Sequence, residues 1–155
     1  MTHSRQLDFD PPIDGGVVVG YDASPASARA VTVAADVAEQ RKVPLHIVRA
    51  WQLSNAMADV GAPTGTVPSF AEVEAAVQAS LDKVAADVRA AHPELDVAVH
   101  VQHAKSTEAL VAASQKAEVL VISKRGQGGF VDLVLGSTAD QVIRYAKCSV
   151  LAVRP

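Results

Sequence analysis

The sequence predicts an α/β fold, a doubly wound, five-stranded parallel sheet, and three observations lead there. Five short runs rich in Val and Leu alternate with stretches of helical period, the pattern of strands joined by crossover helices. Apolar residues make up 49% of the 155-residue chain and aromatics only 4%, with Ala and Val dominant. That balance suits Val-rich strands, buried on both faces, beneath Ala-rich helices. Finally, the fourth apolar run, Val119 to Ile122, breaks off into a loop carrying Lys124, Arg125, Gly126, Gly128 and Gly129. Strand, glycine loop and helix start together present unpaired backbone N–H groups to an anion.

The elements follow in chain order. Residues 1–14 are polar and broken by prolines, and are expected to form a flexible leader to a single domain spanning 15–155. Strand one is expected over Gly16 to Tyr21, around the continuous Val17-Val18-Val19. Ser24 caps the next helix and Pro25 fits its first turn. Strand two runs from Leu45 to Ala50, and the stretch from Gln52 to Ser69, with two glycines and two prolines, has no periodicity. Irregular segments of that length in compact domains are binding loops or disordered. Val73, Val77, Leu81, Val84 and Val88 recur every three or four residues and mark a long helix whose stripe is core. Strand three covers about Val97 to Val101, and Ser106 opens a short helix. Strand four is Val119 to Ile122, the last helix is about Ser137 to Tyr145, and strand five is Ser149 to Val153.

In such a sheet ligands sit beyond the carboxyl ends of the strands, where strand order reverses. Asp22 ends strand one there, and Ser123 to Gly129 follow strand four. A carboxylate at Asp22 suits ribose hydroxyls, but it is equally a turn acid beside a helix start. Lys124 and Arg125 suit phosphate charge, or are two solvated side chains. Gly136-Ser137-Thr138 precedes the last helix; Ser137, with Asp140 three residues on, has the pattern of a cap, which is compatible with phosphate binding because both use the positive helix end.

Other residues carry less. His100 and His103, three apart, would face opposite sides of a strand, and no Cys or carboxylate pattern completes a metal site with them. The single Cys148 excludes an internal disulfide and reads as a small filler. The net charge of −3 argues against a nucleic-acid partner. No apolar run reaches the length of a membrane span and no secretory h-region follows Met1, so the expected location is the cytoplasm.

The motifs resemble those of the universal stress protein family from about Gly15 to Pro155. Members carry a strand, then glycine, two residues, glycine, nine residues, and glycine followed by Ser or Thr. Gly126, Gly136 and Ser137 match the later positions, and Ser123 stands where the first glycine falls. Val18 to Ser24 resembles the family's first strand and its acidic exit, and Cys148 to Pro155 its last strand. The resemblance implies a Rossmann-like five-stranded sheet, usually a homodimer, and in one branch a bound ATP. Carried over, Gly20 and Asp22 face the adenosine and the main chain at Ala50 contacts adenine. Ile122 and Ser123 line the nucleoside, while Arg125, Gly126, Gly136, Ser137 and Thr138 hold the phosphates, with Mg²⁺ as a possible companion.

The function expected is that of a regulatory stress-response protein binding ATP, dimerising through strand five, with no catalytic residues and at most slow hydrolysis. The competing reading is a nucleotide-free interaction protein on the same fold, marked by Ser123. A flavodoxin or receiver domain is disfavoured, because no Thr/Ser-Gly cradle follows strand one and no Asp ends strand three.

Overall fold

A computed structural model describes residues 12–53, 56, 67–124 and 136–155. Its elements alternate throughout: β1 (Val17–Gly20), α1 (Pro25–Arg41), β2 (Leu45–Trp51), α2 (Phe70–Ala91), β3 (Val97–His103), α3 (Ser106–Ser114), β4 (Val119–Ser123), α4 (Ser137–Tyr145) and β5 (Ser149–Val153). The strands lie in the order β3-β2-β1-β4-β5, and every neighbouring pair is parallel. The expected fold class is therefore the observed one.

Local chemistry explains the helix ends. The Ser24 hydroxyl accepts the Ser27 N–H at 3.1 Å, and Pro25 occupies the first turn where no N–H is needed. α2 begins at Phe70, before the first valine of its stripe, because Ser69 and Glu72 form a reciprocal capping box. β3 runs two residues past the apolar pattern, since Gln102 and His103 still pair with Ala50 and Trp51.

Alternation along the strands builds two cores. Val17, Val19, Leu45, Ile47, Val119 and Val121 face α1 and α2, meeting Ala30, Ala34, Leu81 and Ala85. Val18, Val48, Ala50, Leu120 and Ile122 face the other way, toward Ala109, Leu110 and Ala113 of α3 and Val142 of α4. Burying each of these larger side chains contributes about 1.5–3 kcal/mol. Ile13, placed by the sequence reading in the leader, is only 2% exposed and packs into the second core. Residues 1–11 lie outside the described residues. Trp51 is fully buried against Phe70 and His103, and its indole N–H has no hydrogen-bond partner among the described residues.

The chain reverses direction across the sheet after β3: β1, β2 and β3 build outward to one edge, and the next strand, β4, returns to the other side of β1. The switch point therefore lies between the carboxyl ends of β1 and β4, where a crevice opens.

Candidate functional site

A cavity of about 200 Å³ occupies that crevice. The exits of β1 and β4 bring Gly20, Tyr21, Asp22 and Ser123 to it, and β2 adds Val48 and Ala50. The helix starts supply the remainder, among them Ser106 of α3 and Ser137 and Thr138 of α4.

The β1 exit is tightly tied down. The Asp22 N–H donates to Ser27 Oγ at 3.2 Å, and the Ser24 N–H donates to Asp22 Oδ1 at 3.0 Å. Ser27 Oγ in turn donates to the Ser24 carbonyl at 3.0 Å. Between them Ala23 adopts a left-handed conformation, φ 66°. This turn fixes where the Asp22 carboxylate stands before any ligand arrives. Gly20 is small for a packing reason: a Cβ there would sit 3.0 Å from Leu110 Cδ1, closing the wall between β1 and α3.

The helix starts divide into two kinds. α1 and α2 are capped by serine side chains, whereas α3 and α4 have no side-chain cap hydrogen bond. The first N–H groups of a helix have no partner within it, and here those of α3 and α4 open beside the cavity. The cap expected of Ser137 is a correction: the N-cap is Gly136, with φ 82° and ψ 154°, and Ser137 is already the first helical residue. A glycine at 136 takes a backbone conformation closed to other residues, leaving the Ser137 hydroxyl uncommitted to capping. Asp140 pairs instead with Arg144 one turn on, at 3.2 Å.

Of the positions singled out in the sequence, Gly20, Asp22, Ala50, Ser123, Gly136, Ser137 and Thr138 line the cavity. Ile122 does not; it is buried in the core beneath. Arg125 and Gly126, like Gly128 and Gly129, lie outside the described residues. Lys124 uses its N–H to bond the Val153 carbonyl at 2.8 Å, tying the β4 exit to β5. Sequence reading missed Tyr21, Ser27, Val48, Ser106, Leu110 and Ala139. Ser106 was findable: in alternating α/β order α3 starts at the same sheet edge as α1 and α4.

The chain matches the profile of the universal stress protein family over residues 16–154. It belongs to that family. A universal stress protein of Mycolicibacterium smegmatis is 32% identical over 139 residues, covering 90% of this chain and 45% of that protein. One from Mycobacterium tuberculosis is 30% identical over 152 residues, covering 98% of this chain and 50% of that protein. The chain thus spans about half the length of these curated relatives. Among solved structures, a universal stress protein in complex with cAMP is 28% identical with a TM-score of 0.65, over 91% of this chain and 96% of that one. The universal stress protein of Archaeoglobus fulgidus in complex with dAMP shares the fold at 21% identity and a TM-score of 0.62, over 90% and 98% of the two chains. Among the described residues of this universal stress protein, no helix is long and apolar enough to cross a membrane.

Proposed function

We propose that this universal stress protein binds an adenine nucleotide, ATP in the first instance, in the β1–β4 crevice, and acts as a regulatory protein rather than an enzyme. The observation that carries the reading is the pair of uncapped helix starts, α3 and α4, opening beside a cavity that also holds a fixed carboxylate. Helix N-termini favour anions, and a carboxylate accepts hydrogen bonds from ribose hydroxyls. Asp22 takes the ribose, the Ala50 main chain the adenine edge, and Ser123 the sugar. Gly136, Ser137 and Thr138 take the phosphates together with Arg125 and Gly126. The solved relative holding cAMP at 28% identity supports an adenine nucleotide as the class.

Among the described residues no group of three His, Cys, Asp or Glu side chains is placed to hold a metal. Mg²⁺ would accompany the phosphates, as it does where substrate oxygens and water supply most ligands. The same reading places the protein in the cytoplasm, as a homodimer through β5, with no nucleic-acid partner. Ser123, whose side chain stands at the β4 exit where a glycine would leave space, favours the second reading, a nucleotide-free interaction protein.

Denaturing the purified protein and analysing what it releases separates the two. Adenine absorbance with a triphosphate mass supports nucleotide binding. An empty extract, with no calorimetric ATP affinity, leaves the interaction protein. Steady hydrolysis at ~10 s⁻¹, the enzyme median, would overturn the regulatory reading.

A further inference from the structure

Below the pocket wall, toward the entry of the strands, two histidines from neighbouring strands meet. His46 Nδ1 and His100 Nε2 are 3.0 Å apart, with ring centroids 5.2 Å apart and planes inclined by 27°. A centroid separation so close to the longest that a 3.0 Å nitrogen contact permits means that the rings meet end to end, not face to face. Such a contact needs one hydrogen between the two nitrogens, one ring donating and the other accepting. With a hydrogen on each nitrogen, two donors and two positive charges oppose each other.

The pair is placed to act on the pocket. His46, Val48 and Ala50 are successive positions on one face of β2, and Val48 and Ala50 line the cavity. His100 stands in register with Val48 on β3, an edge strand. The contact therefore clamps the edge strand to the strand that forms the pocket wall. His46 is 8% exposed and His100 is half-buried, so acid reaches the pair through the open side of β3.

Little else surrounds it that titrates. Burial lowers the proton affinity of both imidazoles; the Asp96 carboxylate at the entry to β3 partly offsets this for His46, and His46 lowers His100 further. Just ahead of β1, Gly16 approaches the His46 ring. The α3 residues turned to the sheet are Ala109, Leu110, Ala113 and Ser114, while its charged Glu108 and its cap residue Lys105 are exposed.

We propose that the His46–His100 contact is a proton-operated latch on the nucleotide pocket: it holds β3 against β2 when the pair shares one hydrogen, and releases in acid, loosening the Val48–Ala50 wall and lowering nucleotide affinity. The latch rests on the nucleotide reading above for its effect on affinity, though not for its existence. The bound form, which needs the wall in place, takes up the second proton less readily than the free protein, so binding and acid oppose each other.

Calorimetry with ATP at about pH 7.5 and about pH 4.5, low enough for both rings to take a proton, on wild type and His100→Gln, tests it. Comparing the two proteins at each pH cancels the protonation of ATP itself. Wild-type affinity is expected to fall about three- to tenfold more than that of the variant, the scale of one linked proton; equal pH profiles overturn the latch. Amide exchange over Val97–His103 needs no nucleotide: protection corrected for intrinsic rates is expected to drop in acid in wild type alone. If neither protein binds ATP at pH 7.5, the nucleotide reading fails and exchange alone decides the latch. If His100→Gln does not fold, the wild-type imidazole titrations followed by NMR decide it: coupled two-step curves support the latch, and independent single-step curves overturn it.

Discussion

At the scale of single residues, Gly136 and the His46–His100 pair carry the firmest expectations. Gly136 holds φ 82° and ψ 154° at the start of α4, a region essentially reserved for glycine. Gly136→Ala is expected to cost about 1–3 kcal/mol, read as a shift in urea midpoint, and to weaken ATP binding as the first turn of α4 moves. A variant of unchanged stability and affinity would show that the strain is relieved elsewhere. The histidine pair sets the sign of a pH effect on stability. Each imidazole binds a proton less readily folded than unfolded, so the unfolded chain takes up more protons in acid. Their contribution is fully present above the ordinary histidine pKa of about 6.5 and is lost as pH falls through it toward the lowered folded values. Denaturation midpoints should therefore rise from pH 5 to 7.5, and rise less in His100→Gln. Burial also pushes the Cys148 thiol upward, with the Leu120 backbone pulling slightly the other way; alkylation at pH 8 should be slower than for a free thiol.

At the scale of elements, the helices differ in what holds their ends, and so in what substitution does to them. Ser69→Ala removes one half of the α2 capping box and should cost about 0.5–2 kcal/mol, with no effect on nucleotide affinity, because α2 packs on the face away from the cavity. Ser27→Ala instead removes the hydroxyl that accepts the Asp22 N–H and donates to the Ser24 carbonyl, which frees the turn that fixes Asp22, so affinity should fall along with stability. Equal binding losses in the two variants would contradict this division.

The same elements show what was legible in the sequence. The last helix and the last strand were readable, because Ser137 follows a glycine and Val153 precedes charge and proline. The start of α2 was marked only by the end of the unpatterned stretch at Ser69, because Ser69-x-x-Glu72 is a polar signal lying ahead of the apolar stripe. The end of β3 was missed because Gln102 and His103 are polar residues on an edge strand, where only one side need be buried. The pocket was legible where glycine or a carboxylate punctuates a strand exit. It was illegible at Tyr21, Val48 and Leu110, whose apolar or aromatic side chains look like any other core residue until the switch point is known.

For the molecule as a whole, the expectation concerns assembly. β5 is an edge strand, with Leu151 39% exposed. The Val153 carbonyl accepts from Lys124, so Val153 and, two residues back, Leu151 turn their backbone groups toward β4. Val150 and Ala152 turn theirs outward, since alternate residues of a strand bond to opposite neighbours. Unpaired outward groups on an apolar edge invite a second copy. Ala152→Pro removes an outward N–H without touching the β4–β5 ladder, and should convert a dimer to a monomer in sedimentation while the circular dichroism stays unchanged. An undiminished dimer would place the interface elsewhere.

The fully buried indole of Trp51, packed 4.6 Å from His103 by ring centroids, has a spectroscopic consequence. It is the sole tryptophan of the chain, so the intrinsic emission comes from one fluorophore at one known place. Dry surroundings should give emission at the blue end of the tryptophan range, shifting red only when β2 itself comes apart. Because Trp51 directly follows Ala50 and pairs with His103 across β2 and β3, the protein carries a native, unlabelled optical gauge of that strand junction.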